Sequence, residues 1–581
     1  MNKILTILIL GLLIFGTIGV IATPEKNNIE NKILFESILI SEPIIKEEND
    51  FISIYLEESN SYLLEPNNPM LPTITRVYTL PFKTDIHNIK VNYFGNNEIL
   101  LNKHIKPVNI PTPINSRIKS NQDYGSYSLT KLYPEEKFTY TLGSGILNHE
   151  RVLFLSVKCF PISYNPTYNI LNYCNNFEIE ISYNEGSYKK TAQTDYDLVI
   201  ISPETFSSNL QKLIDHKNNH GINSYIKNVE EIYDEFPGRD DPEKIKNYVK
   251  YAIETFDISY VLLIGSLDHI PIRMTNIGWH YSTLNLPTDL YFSDVYDENG
   301  DFCTWDANEN NIFGEYNWDD GNIDEVDLYA DVYLGRIPCQ RNLDLNIVLK
   351  KIISYENNAY GKNWFKRILL LGGDTFPHHG IIEGEFVTSR IAEEMIGFNP
   401  IFLWTSEKTF RPLIINSEAT RGAGFISYSG HGYVHGFGTS PPDVERRIEY
   451  FDWYLPGMLN INKYSIVFFD ACLTATLDYK LFNFINFPGI AYNFVKKPIG
   501  GAVAAIGATR IAFTDVDWKG VNAGAGYLNL HFFMNYEEGI TVSEMLTKSQ
   551  NDYINYVYED CITIEEFILI GDPSLKVGGY P

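Results

Sequence analysis

Cysteine, basic charge and long apolar runs are all scarce in this sequence. Six cysteines in 581 residues cannot form the disulfide framework of a small secreted scaffold. Cys159 and Cys174 fall on neighbouring expected strands and are the pair able to bridge, a closure worth about 3 kcal/mol. Cys472 is expected to stay a free thiol. Lys and Arg number 46 against 73 Asp and Glu, a formal charge of −27. With no Lys/Arg-rich stripe to concentrate positive charge, nucleic acid is excluded as a partner. Beyond residue 22 no apolar run is long enough to cross a bilayer, which excludes a multi-span membrane protein.

What is present begins with a targeting signal. Lys3 supplies a positive start, Ile4 to Ile21 is almost wholly apolar, and small Ala22 precedes a polar stretch. Residues 1–22 therefore read as a signal peptide, with an uncleaved N-terminal anchor as the alternative. Both send the rest of the chain outward, to a secreted or cell-surface location. Hydrophobic residues at 44% and charged residues at 20% then call for globular domains, and the length calls for more than one.

Residues 23–190 are expected to form an all-β sandwich. Ile52–Leu56, Ile74–Leu80, Phe138–Leu142, Val152–Val157 and Phe177–Tyr183 alternate or are β-branched, and Asn, Pro and Gly separate them. Polar Asn184–Thr194, carrying Lys189 and Lys190, reads as an exposed linker. From there strands alternate with helices, giving a first α/β subdomain over 195–360 and a second over 361–581. The apolar strands Leu198–Ser202, Tyr260–Gly265, Arg367–Gly372, Phe425–Tyr428, Ser465–Phe469 and Ala502–Ile506 imply a mainly parallel sheet with flanking helices.

Sites in such sheets form at the C-terminal ends of strands. Phe425–Tyr428 runs into Ser429-Gly430-His431-Gly432, and Ser465–Phe469 runs into Asp470-Ala471-Cys472. A thiol beside an imidazole is a nucleophile with its base. The amides of Gly432 and Cys472 are then placed to hold an oxyanion. His435 is a second histidine in the same loop and is assigned no part in the chemistry.

The segments YSGHGYVHGFGTS (428–440), FFDACLTATLDY (468–479), LIGDPSLKV (569–577), YVLLIGSLDHIP (260–271) and DLYADVYLGRIP (327–338) together resemble the gingipain family of cysteine peptidases. NPMLPTITRVYTLP and FPISYNPTYNILNY resemble the propeptide domain of that family. The resemblance implies a caspase-like α/β catalytic domain behind an all-β prodomain, with His431 and Cys472 as dyad. It also implies an acidic residue orienting the imidazole, which falls on Asp374, and a carboxylate that selects basic side chains, which falls on Glu385 or Glu383. Relatives bind Ca²⁺, and the alternating oxygens of Asp297, Asn299, Asp301, Asp306 and Asn308 suit such a structural ion, although neither run completes an EF-hand. His378 and His379 have no third ligand at regular spacing.

The expected activity is that of an exported cysteine endopeptidase made as a zymogen. It needs no catalytic cofactor and acts on proteins or peptides, with its own prodomain as a further partner. A sortase-like transpeptidase and a surface binding protein that has lost activity are the competing readings.

Overall fold

The computed structural model describes residues 31–581 apart from 49, 110, 116–130, 187–195, 280–281, 318–320, 482–484, 516–519 and 558–559. The signal peptide and the Lys189–Lys190 pair lie outside the described residues.

Alternating apolar side chains in the first third build several antiparallel sheets, two of which share one core. In one sheet, strand Asn176–Asn184 lies between Lys32–Leu39 and Asp85–Phe94. The other orders Ser61–Leu63, Leu71–Pro81, Glu150–Cys159 and Phe138–Leu147. Ile38, Phe177, Ile179 and Ile181 of the first sheet share a buried cluster with Ile74, Leu155 and Val157 of the second. Side chains on alternate positions thus fill a sandwich interior. Cys159 and Cys174 are buried as separate free thiols in this core. The expected bridge is not formed, and both behave as small hydrophobes.

The α/β region is one ten-stranded sheet. In chain order its strands are β1 (Leu198–Ser202), β2 (Ser224–Asn228), β3 (Tyr260–Ile264), β4 (Tyr333–Ile337), β5 (Arg367–Gly372), β6 (Asn399–Trp404), β7 (Phe425–Ser429), β8 (Ser465–Asp470), β9 (Ala502–Ala508) and β10 (Phe567–Ile570). They lie in the order β2-β1-β3-β4-β10-β9-β8-β7-β5-β6. Every neighbouring pair is parallel except β9 and β10. Two parallel halves therefore run in opposite senses and join at that one antiparallel seam. The C-terminal strand β10 crosses from the second half of the sequence to seat in the first half of the sheet. The central strands are buried on both faces, which is why they read as unbroken apolar runs.

The sandwich docks on the first half of that sheet through the strand Phe138–Leu147. Ile146 N–H donates to the Ala330 carbonyl at 2.6 Å, and Ser144 N–H to the Asp327 carboxylate at 2.9 Å. Phe154 stacks on Tyr329 with centroids 4.9 Å apart. Arg151 reaches Asp257 at 3.2 Å. A Cβ on Gly143 would stand 2.2 Å from the Tyr329 ring, so only glycine allows this approach. Gly143→Val is accordingly expected to destabilise the intact chain by about 1–3 kcal/mol through overpacking at this contact. Thermal unfolding combined with limited proteolysis measures it, and an unchanged midpoint would remove Gly143 from the docking argument.

Candidate active site

Strands β7 and β8 are adjacent and parallel, with Ser429 opposite Asp470. The residues that follow are therefore brought side by side at one sheet edge. Gly430 N–H donates to the Asp470 carbonyl at 3.1 Å. Gly430 has φ of +151° and Leu473 has φ of +61°, so both chains turn sharply on leaving their strands. A Cβ on Gly432 would lie 2.0 Å from the Cys472 carbonyl oxygen and 2.8 Å from its nitrogen. The main chain of Gly432 thus packs directly on that of Cys472, and any side chain there would prise the two strand ends apart.

His431 and Cys472 are both buried, at 2% and 0% exposure. His431 Nε2 lies 2.8 Å from the Thr375 carbonyl oxygen. A carbonyl only accepts, so Nε2 carries the proton and Nδ1 is the basic nitrogen. Nδ1 has no hydrogen-bond partner among the described residues. The Cys472 thiol donates to the Ala512 carbonyl at 3.8 Å, and among the described residues no hydrogen bond joins it to the imidazole.

A segment of the N-terminal region shares the acceptor of the thiol. Thr112–Pro113 adds as a short antiparallel strand to Phe513–Thr514, with Pro113 opposite Phe513. Ile114 N–H then donates at 2.8 Å to the same Ala512 carbonyl that the thiol uses. Ile114 is itself buried, and its main chain also acts on His431. Burial pushes the Cys472 thiol up to about 12, reinforced by the charge of Glu566. Burial likewise pushes His431 down to about 4, helped by Arg447. In this state the pair is neutral thiol and neutral imidazole.

The expected acidic partner is placed elsewhere. Asp374 ends the β5 loop and its carboxylate accepts from the Asp443 amide at 3.0 Å, while its main chain pairs with Ser440. The ring partner is the carbonyl of the next residue, Thr375, so a carbonyl stands where a carboxylate was expected. The two candidate specificity carboxylates also separate. Glu385 is fully engaged, accepting from Ser406 N–H at 2.9 Å, Ser406 Oγ at 2.6 Å and Thr405 Oγ1 at 3.1 Å. Glu383 accepts from the Thr375 amide at 3.2 Å, and its Oε1 is buried with no hydrogen-bond partner among the described residues. It lines a small cavity with Ile114, Val387, Ser429, Asp470, Thr514 and Gly520. Of the two, Glu383 is the one that faces this cavity.

The five expected Ca²⁺ ligands do not converge. Asp297 closes its own turn, accepting from Asn299 and Asp301 amides at 2.9 Å each. Asp306 accepts from Asn310 and Asn311 amides and from Arg239, and Asn308 accepts from Asn310. Among the described residues no group of three acidic, His or Cys side chains is disposed to hold a metal. Sequence reasoning missed the strand at 112–114, although Pro111 and Pro113 are a signal of extended chain.

Burial pushes Glu383 from its usual 4.5 up to about 8. A group raised in the closed state stabilises that state fully below its ordinary value and loses the contribution as pH rises through the closed value. For His431, lowered from 6.5 to about 4, the contribution is full above 6.5 and lost as pH falls through 4. The contact of Ile114 is therefore expected to weaken as pH rises from 6.5 to 8. Hydrogen exchange at the Ile114 amide, corrected for intrinsic rates, should show falling protection over that range in wild type and a flat profile in Glu383→Gln. Equal slopes in both would discard Glu383 as the cause.

The model of peptidase family C25 matches residues 191–578, more than half of the chain. Gingipain R1 of Porphyromonas gingivalis is 22% identical over 582 aligned positions, covering 90% of this chain and 51% of that protein. Gingipain R2 of the same species is 21% identical over 395, covering 65% of this chain and 46% of that one. The chain thus spans about half the length of the curated relatives it matches. A solved complex of the pro- and mature domains of P. gingivalis RgpB superposes with a TM-score of 0.48 at 19% identity, covering 66% of this chain and 79% of that one. With its family model, its sheet and its all-β N-terminal region in agreement, the chain belongs to peptidase family C25, the gingipain family of cysteine peptidases.

Proposed function

We propose that this chain is the latent form of an exported cysteine endopeptidase. The observation that carries the reading is the strand Thr112–Pro113, laid along Phe513–Thr514 as a substrate would be, with the amide of the next residue, Ile114, on the carbonyl that also holds the thiol. Edge-strand addition of this kind uses main-chain hydrogen bonds and suits many peptide sequences. When that strand leaves, the Ala512 carbonyl is free to take a substrate N–H and the thiol can turn to His431. Nδ1 then accepts the thiol proton, and Sγ attacks the scissile carbonyl carbon. The oxyanion is held by the amides of Gly432 and Cys472. Collapse breaks the C–N bond as His431 returns the proton to the leaving amine, and water hydrolyses the thioester. Residues 112–114 come from the sandwich region, so release of that region is the activating event. The apolar leader supports export.

Glu383, with an unpartnered oxygen in the cavity under Ile114, supports cleavage after a basic residue. Ca²⁺ is proposed as a structural ion only. No site is assigned to it among the described residues. Added Ca²⁺ should raise the unfolding temperature of the chain; an unchanged midpoint would dismiss the ion.

An acyloxymethyl-ketone probe should label wild type slowly and Cys472→Ala not at all. Ile114→Asp, which would bury a charge against Glu383, should speed labelling by at least about tenfold. Labelling that survives Cys472→Ala would refute the assigned nucleophile. Conjugate formed with an added amine would show transfer in place of hydrolysis.

A further inference from the structure

His431 belongs to a small antiparallel sheet of its own, made by the strands His431–Tyr433, Gly436–Thr439 and Ile448–Phe451. Across that sheet Gly432, Phe437 and Tyr450 lie opposite one another, and Phe437 and Tyr450 are buried in the core. Side chains alternate along a strand, so His431, Tyr433, Glu449 and Phe451 share the other face. There the middle strand sets only Gly438 between His431 and Glu449, and only Gly436 between Tyr433 and Phe451. The Phe451 ring lies over Gly436 and stacks on Tyr433 with centroids 6.0 Å apart. Arg447, just before the third strand, donates through Nη1 to Tyr433 Oη at 2.9 Å. Tyr433 in turn donates to Glu449 at 3.4 Å and stands between the two charges.

Arg447 is the unsatisfied member of this face. The chain holds 73 Asp and Glu against 46 Lys and Arg, yet among the described residues no carboxylate forms an ion pair with the partly buried Arg447. Its charge is near enough to His431 to work against the imidazolium. A guanidinium partly withdrawn from water is half of a charge-assisted pair that lacks its anion. The polarity of the bound strand sets which part of a substrate would come to it. Thr112 lies opposite Thr514 and Pro113 opposite Phe513, after which the Ile114 amide meets Ala512 beside Cys472 and the Ile114 main chain acts on His431. A chain laid in that sense arrives over 512–514 and leaves past His431, on the side where Tyr433 and Arg447 stand.

Resting on the peptidase reading above, we propose that Arg447 is a specificity-determining residue on the leaving side of the scissile bond: held by Tyr433, it takes the carboxylate of an acidic residue at one of the first two positions after that bond. A guanidinium has five donors in a planar fork, so the one given to Tyr433 leaves others for a carboxylate. An anion seated there would also offset the charge that opposes the imidazolium.

The test uses the full chain after activation, with active molecules counted by covalent labelling of Cys472. A cleaved sequence is first identified in a pool of random peptides. Matched peptides then carry Glu, Gln or Lys at each of the first two positions after the bond. At one of the two, wild type should prefer Glu to Gln by roughly 5–30-fold in kcat/KM, the range of one charge-assisted pair. Arg447→Gln should bring that ratio to within about twofold of unity, Arg447→Lys should keep part of it, and Arg447→Glu should turn the preference to Lys. A role of Arg447 through His431 alone would change every peptide by one factor and leave the ratio untouched. That result, or equal cleavage of Glu and Gln peptides by wild type at both positions, would overturn the assignment. If the variants fail to fold, wild type in rising salt serves instead, since screening should shrink the Glu preference; a preference indifferent to salt would overturn it. Cleavage without a Glu preference keeps the peptidase reading, whereas unlabelled Cys472 with no peptide cut ends both.

Discussion

The Ala512 carbonyl oxygen is the pivot of the molecule. It accepts the Ile114 amide at 2.8 Å and the Cys472 thiol at 3.8 Å. One acceptor thus serves the Ile114 amide and the thiol together. While the amide is there, the thiol points to a carbonyl and stays protonated. The proposed latency would need no distortion of either residue. It follows from a shared hydrogen bond and from burial that disfavours both charged forms.

Holding that arrangement is the task of the interface between sandwich and sheet. The strand Phe138–Leu147 lies so close to Tyr329 that Gly143 and Gly145 have no room for side chains. The docking surface is therefore on the half of the sheet made by β1–β4 and β10, whereas the dyad stands on the half made by β5–β9. The strand Thr112–Pro113 pairs with Phe513–Thr514, and the Ile114 amide meets Ala512 beside Cys472. On the proposed reading, anchoring through one half while blocking the other would let a large contact area support a very short strand.

The architecture was legible because each level of the sequence agreed with the next. Alternation marked the sandwich, unbroken apolar runs marked the buried strands, and Gly-flanked His431 and Cys472 marked their ends. What remained hidden is carried by the main chain. The carbonyls of Thr375 and Ala512 have no signature in residue identity, and any residue at those positions could supply them. Glu385 and Glu383, two positions apart, could not be ranked from sequence. Their roles depend on whether Thr405 and Ser406, from the segment after β6, come to meet one of them. Asp374 was legible as a carboxylate at the right strand end, but its contact with the Asp443 amide depends on a loop that arrives from far along the chain. Cys159 and Cys174, the pair able to bridge, stay free thiols, since nearness in the sequence pattern does not set the sulfur geometry a disulfide needs.

The carbonyl behind His431 also bears on how the dyad would work. A carboxylate in that position would favour the imidazolium and with it a preformed thiolate. A carbonyl fixes the tautomer but adds no charge, and Arg447 opposes the imidazolium further. Asp374 turns one carboxylate oxygen to the Asp443 amide, and among the described residues no hydrogen bond joins it to the imidazole. The resting pair is then thiol and neutral imidazole, and proton transfer must accompany attack on the substrate. On the proposed reading, such a nucleophile would gain its strength only once a peptide is seated on Phe513–Thr514. A thiol that ionises late is protected from oxidants, because the thiolate is the reactive form. The burial that keeps the pair neutral in this state would therefore shield Cys472 from oxidation as well as from ionisation.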